Sequence, residues 1–62
     1  MTPGEFQAGR EALGLSQAQL GKAFGVRREA VGRWEADGPS PLAARYMAAL
    51  MAGYRPDDWP QP

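Results

Sequence analysis

Ser16-Gln17-Ala18-Gln19-Leu20-Gly21-Lys22-Ala23-Phe24-Gly25-Val26, running on to Val31-Gly32-Arg33-Trp34-Glu35, is the stretch on which the fold is decided. Ser16 with Gln19 three residues later has the form of a capping box, which satisfies two orphan N–H groups at a helix start. The helix it opens carries Leu20 and Phe24 at helical spacing and reaches Gly25, a residue suited to a left-handed cap. A further helix is expected from Arg27 to about Ala36, with Val31 and Trp34 on one face. Two helices joined steeply by a three- or four-residue turn need small residues at the crossing. Gly21 is expected to let the first of them lie close under the second, Gly25 to supply the positive φ of the turn, and Val26 to plug the turn into the core.

The flanks are punctuated just as clearly. Thr2-Pro3-Gly4-Glu5 reads as a second capping box with proline in the first helical turn; Phe6, Gly9 and Leu13 follow helical spacing, and Gly14 stops the segment. After the break Asp37-Gly38-Pro39, Ser40-Pro41 opens a last helix expected to bury Leu42, Tyr46, Ala49 and Leu50. From Gly53 to Pro62 there are three prolines, two acids and two aromatics, so this tail is expected to be extended or turning. No segment alternates long enough to make a strand. The expectation is an all-α fold of four short helices around one small core, a helix-turn-helix domain over 1–53 and an irregular tail over 54–62.

Composition removes most chemistry. Sixty-two residues allow one domain with little surface to bury. There is no cysteine and no histidine, which excludes disulfides, zinc fingers, thiol nucleophiles and imidazole catalysis. Two serines and one threonine have no activating base, and no glycine-rich phosphate loop follows a strand, so neither an enzyme nor a bound cofactor or metal is expected. Seven basic residues balance seven acidic ones, which leaves room only for a local basic patch. The amino terminus lacks a signal-peptide pattern, and the apolar run from Leu42 to Tyr54 is interrupted by Arg45 and too short for the ~20 residues that cross a bilayer. A cytoplasmic protein without membrane contact is the expectation.

The text from Arg10 to Val26, with its Leu13-Gly14-Leu15-Ser16-Gln17 entry, its Phe24-Gly25-Val26 turn and its Arg33-Trp34-Glu35 exit, resembles the phage-repressor-type (lambda-repressor-like, Cro/XRE-type) helix-turn-helix family. That resemblance covers roughly the first two thirds of the chain, and Pro41 to Leu50 fits the family's next helix. It implies that the helix from Arg27 docks in the DNA major groove while the start of the preceding helix touches the backbone. The residues then facing DNA are Gln17, Arg27, Arg28, Glu29, Gly32 and Arg33, with Ala30 near the groove wall. Periodicity agrees, because Val31 and Trp34 on the apolar side turn 28, 29, 32 and 33 outward. Between Arg27 and Arg33, three arginines against one glutamate give a local +2. Arginine can bond both major-groove acceptors of guanine, Glu29 can accept from cytosine, and Gln17 can donate to a phosphate. In similar proteins the positions of Arg10 and Glu35 form a partly buried ion pair, so these two charges are assigned to structure.

Two positions depart from the family pattern. Arg27 stands where relatives carry a serine or threonine cap; either it contacts a phosphate or the site merely tolerates it. Gly32 weakens a helix interior, and either permits close approach to DNA or has no role. A single unit reads one half-site, so a homodimer on double-stranded DNA is expected. Ala44, Ala48 and Ala52 form a small-residue ridge for a symmetry mate, joined by Met51, Tyr54 and Trp59; alternatively Tyr54 and Trp59 fold back on the monomer. No small-molecule ligand is expected. The function expected is a sequence-specific transcriptional regulator, a repressor of the kind common in phage or mobile-element operons. The competing reading is a protein-interaction module, an antitoxin or adaptor on the same fold.

Overall fold

A computed structural model describes residues 1–60, which form α1 (Pro3–Ala12), α2 (Gln17–Phe24), α3 (Arg28–Asp37) and α4 (Pro41–Met51), with no strand among them. Three helices begin on side-chain caps. The Thr2 hydroxyl accepts from the Glu5 N–H at 3.1 Å while the Glu5 carboxylate accepts from the Thr2 N–H at 2.7 Å. Ser16 and Gln19 repeat the exchange at 3.1 and 2.8 Å. At α4, Ser40 accepts from the Ala43 N–H at 3.2 Å, with Pro41 in the first turn. Hydrogen bonds from Thr2, the backbone one foremost, hold the Glu5 carboxyl below its ordinary value. α3 differs from expectation at both ends: Arg27 is its cap rather than its first residue, and Asp37 still belongs to it.

Phe6 is the centre of the core, fully buried with Leu20, Val31, Met47 and Leu50. Edge-on ring contacts radiate from it, to Phe24 at 5.9 Å and to Trp34 at 5.6 Å between centroids, and Phe24 passes the contact to Tyr46 at 4.7 Å. Such edge-to-face pairs contribute about 0.5–1.5 kcal/mol each beyond their buried area. They draw one aromatic residue from each helix into a single cluster.

α4 sits in a different phase from the expected one. Its buried side is Ala43, Met47 and Leu50, spaced by four and three residues; Tyr46 and Ala49 lie at the margin, and Leu42 is 76% exposed. The reason is the partner helix: a Cβ on Gly9 of α1 would lie 3.0 Å from the Met47 sulfur, so Met47 occupies the space that Gly9 leaves. Once Met47 points inward, Leu42 five residues earlier is carried round to solvent. The other correction concerns Val26, which is 37% exposed instead of buried in the turn.

The tail folds back on this core. Trp59 is half-buried against it, the Arg55 guanidinium lies 4.6 Å from the centroid of its ring, and Arg55 Nη1 donates to the Leu50 and Tyr54 carbonyls at 2.8 and 2.7 Å. One guanidinium thus caps the end of α4 and clamps the indole. Expected tail positions 61 and 62 lie outside the described residues. Among those described, no helix is long and apolar enough to cross a membrane.

Replacing Met47 by alanine should cost about 2–5 kcal/mol in urea unfolding, whereas Leu42→Ala should stay within about 0.5 kcal/mol; equal costs would place α4 in the wrong phase. Tyr46, whose hydroxyl donates to the Ala23 carbonyl at 3.3 Å, has its pKa raised above the ordinary phenol value, by burial first and then by Tyr54 and Asp58. Its protonated form is favoured in the folded chain. The stability it contributes is therefore complete below the unfolded value and is lost as pH rises through the folded one. Tyr46→Phe should remove that part of the alkaline loss, read by unfolding across the alkaline range.

Candidate nucleic-acid interface

Local geometry at the turn sets how α3 is presented. α2 ends at Gly25 in the left-handed region, φ 71°, and the Val26 N–H donates to the Gly21 carbonyl at 2.8 Å. A Cβ at Gly21 would lie 2.8 Å from the Val26 carbonyl oxygen, closer than atoms approach. Gly21 is therefore required by the backbone of the turn itself, and this contact seals the turn in place of the Val26 side chain. Arg27 follows with extended backbone, φ −79° and ψ 159°, and makes no side-chain cap to α3. Cap omission costs about 1 kcal/mol, and a cation here opposes the helix dipole; Glu29 in the first turn partly offsets it.

α3 is two-sided. Val31 is fully buried and Trp34 is packed on the core, while Arg27, Arg28, Glu29 and Arg33 are exposed and Gly32 and Ala30 are half-exposed. The exposed side chains carry three positive charges and one negative, the local +2 read from the sequence. A Cβ added at Gly32 would meet nothing nearer than the Gln17 side-chain oxygen, at 4.0 Å. No crowding within the chain therefore requires glycine there.

The other end of α3 is tied down by charge. Arg10 Nε lies 2.6 Å from Glu35 Oε2 and Arg10 Nη2 lies 3.5 Å from Oε1, with the two side chains only 15% and 6% exposed. Arg10 Nη1 also donates to the Leu15 carbonyl at 2.9 Å, fastening the loop between α1 and α2. Gln17 Nε2 donates to Glu35 Oε1 at 3.0 Å. Sequence reasoning had Gln17 reaching outward to a phosphate and missed this bond. No local spacing signals a contact between residues eighteen apart in the chain.

Of the residues expected at a dimer interface, Ala48, Met51, Ala52 and Tyr54 are exposed, Met51 at 56% and Tyr54 at 51%. Trp59 is instead engaged on its own monomer. A separate open groove of about 510 Å³ runs beside Phe24, Trp34 and Tyr46, with Val26 and Leu42 among its lining residues.

Two short helices joined through a left-handed glycine, the second presenting a cationic outer face on a fixed core, define a helix-turn-helix DNA-binding protein. A family model described as helix-turn-helix matches residues 6–54, most of the chain, and the protein belongs to this Cro/C1-type, XRE-like family. Its function is accordingly of the DNA-binding transcription-regulator kind. No curated protein and no solved structure matches the chain.

Substituting Arg27 by serine should stabilise the fold by about 1 kcal/mol, by restoring a cap. Gly32→Ala should add up to about 1 kcal/mol, since the helix gains propensity without a clash. Urea unfolding of both variants tests this. A loss of stability in Gly32→Ala would mean that the space over α3 is not free.

Proposed function

We propose that the protein is a sequence-specific transcriptional repressor acting in the cytoplasm, binding an inverted-repeat operator as a homodimer and occluding a promoter. The observation that carries this reading is the cationic face of α3, held outward by Val31 and Trp34. In it α3 enters the major groove. Arg28 and Arg33 read guanine edges and Glu29 accepts from a cytosine amino group or repels phosphates in wrong registers. Arg27, uncapped and exposed at the turn, contacts a phosphate, and Gln17 contacts another from the start of α2. Gly32 leaves room for close approach to the DNA.

The dimer of this proposal uses the exposed end of α4, Ala48, Met51 and Ala52, with Tyr54 beside it. Two α3 helices would then stand about one DNA turn, ~34 Å, apart. Residues 1–53 carry DNA contact in this scheme; the tail from 54 braces α4 through Arg55 and Trp59. With so few cations, affinity rests on a handful of phosphate contacts. The second reading, an antitoxin or adaptor, is favoured by one feature: Leu42 and Val26 expose apolar surface beside the aromatic groove.

Selection from a pool of random duplexes, followed by anisotropy titration at two salt concentrations, separates the two. The repressor reading expects an enriched inverted repeat, with Arg28→Ala or Arg33→Ala each losing about 1–3 kcal/mol of site preference while unfolding as the parent does. Failure to enrich any sequence would favour a protein partner.

A further inference from the structure

We infer that Glu35 is a positioning residue for DNA contact: it holds the amide of Gln17 in one orientation, leaving one N–H of that amide for a backbone phosphate. The inference rests on the DNA-binding reading above and extends it to a residue otherwise explained by the ion pair alone.

The argument starts from hydrogen-bond inventory. An ionised carboxylate only accepts, so the Gln17 group 3.0 Å from Glu35 Oε1 must be its NH₂, and the amide cannot be turned the other way without setting two oxygens against each other. Glu35 is itself immobile. Its side chain is 6% exposed, and its carboxylate is bonded by Arg10 through Nε and Nη2. The guanidinium neutralises it, so a phosphate approaching Gln17 meets no uncompensated negative charge. Of the two N–H groups on Gln17 Nε2, one is used on Glu35 and the second remains.

Position supports the same conclusion. Gln17 is the first residue of α2, where the positive end of the helix dipole favours an anion. Its carbonyl oxygen lies 4.0 Å from where a Cβ of Gly32 would stand, so the amide extends alongside α3 next to a residue without a side chain. Arg33 flanks Gly32 on the exposed side of that helix. A free glutamine would lose its rotamer freedom on meeting DNA; here that freedom is already lost on folding, which is preorganisation. Arg10, on α1, thereby contributes to DNA contact without touching DNA.

Glu35→Gln tests this. With Arg10 keeping the remaining carbonyl oxygen, the new NH₂ faces Gln17 and forces its amide to turn, so the Gln17 NH₂ is carried away from the phosphate it would otherwise meet. On the duplex selected by the parent protein, phosphate-ethylation interference is mapped for the parent, Gln17→Ala and Glu35→Gln. The expected result is that both variants lose the same single phosphate signal and keep the others. Each should lose about three- to tenfold in affinity, and the double variant no more than either alone. An unchanged footprint in Glu35→Gln, or uniform weakening of every phosphate, overturns the inference. Should Glu35→Gln not fold, side-chain amide relaxation of Gln17 in the parent without DNA decides: order close to that of rigid backbone supports the inference, and free mobility overturns it. A folded parent that enriches no duplex at all overturns the DNA-binding reading itself, and the inference with it.

Discussion

The carboxylate of Glu35 is the constraint on which the rest of the arrangement depends. It is a nearly buried charge in a very small protein, reached from α1 by Arg10, from α2 by Gln17, and through Arg10 from the Leu15 carbonyl of the intervening loop. Removing one partner of such a pair costs about 3–5 kcal/mol, because the other is left buried and unpaired. A domain of this length is stable by only about 3–9 kcal/mol on the usual per-residue scale. The pair therefore matters less for the net energy it adds than for the arrangements it forbids. Any packing of α1, α2 and α3 that separates Arg10 from Glu35 strands a charge. Among the described residues no buried side-chain nitrogen or oxygen lacks a partner.

That constraint compensates for the intrinsic weakness of α3. α3 begins without a side-chain cap, carries glycine in its interior and has no basic residue in its last turn. The first two features together disfavour it by about 2 kcal/mol relative to a capped, alanine-containing helix. What holds it helical is tertiary: Val31 buried beneath, Trp34 against Phe6 and Phe24, and Glu35 anchored at the far end.

The tail addresses the shortage of core. The aromatic cluster of Phe24, Trp34 and Tyr46 is open on the side of the groove, and Trp59, steadied by Arg55, adds half-buried surface against the core. Arg55 also adds a side-chain donor to the Leu50 carbonyl in the last turn of α4 and to the Tyr54 carbonyl beyond it. Extra apolar contact of this kind counts most in a small domain, where the fraction of surface buried is least.

Much of this was legible in the residues alone. Thr2 with Glu5, Ser16 with Gln19, Ser40 with Pro41 and the glycine at 25 act within four residues of themselves. Their meaning does not depend on the rest of the fold, and each performs in the structure as its spacing indicates. The Arg10–Glu35 pair and the outward set 28, 29 and 33 came from a family pattern and from helical phase fixed by Val31 and Trp34. Four things were decided only by tertiary structure: the phase of α4, the exposure of Val26, the fate of Trp59 and the partner of Gln17. In α4, apolar residues surround much of the helix, so periodicity allows more than one buried side; only the gap at Gly9 selects Met47 over Leu42. Val26 lost its place to the Gly21 contact beneath its own backbone. Trp59 could satisfy its apolar surface on its own chain or on another, and in the structure it packs against its own core. Gln17 belongs with these, because its partner is fixed by where α3 crosses α2 and not by anything adjacent to it in the chain.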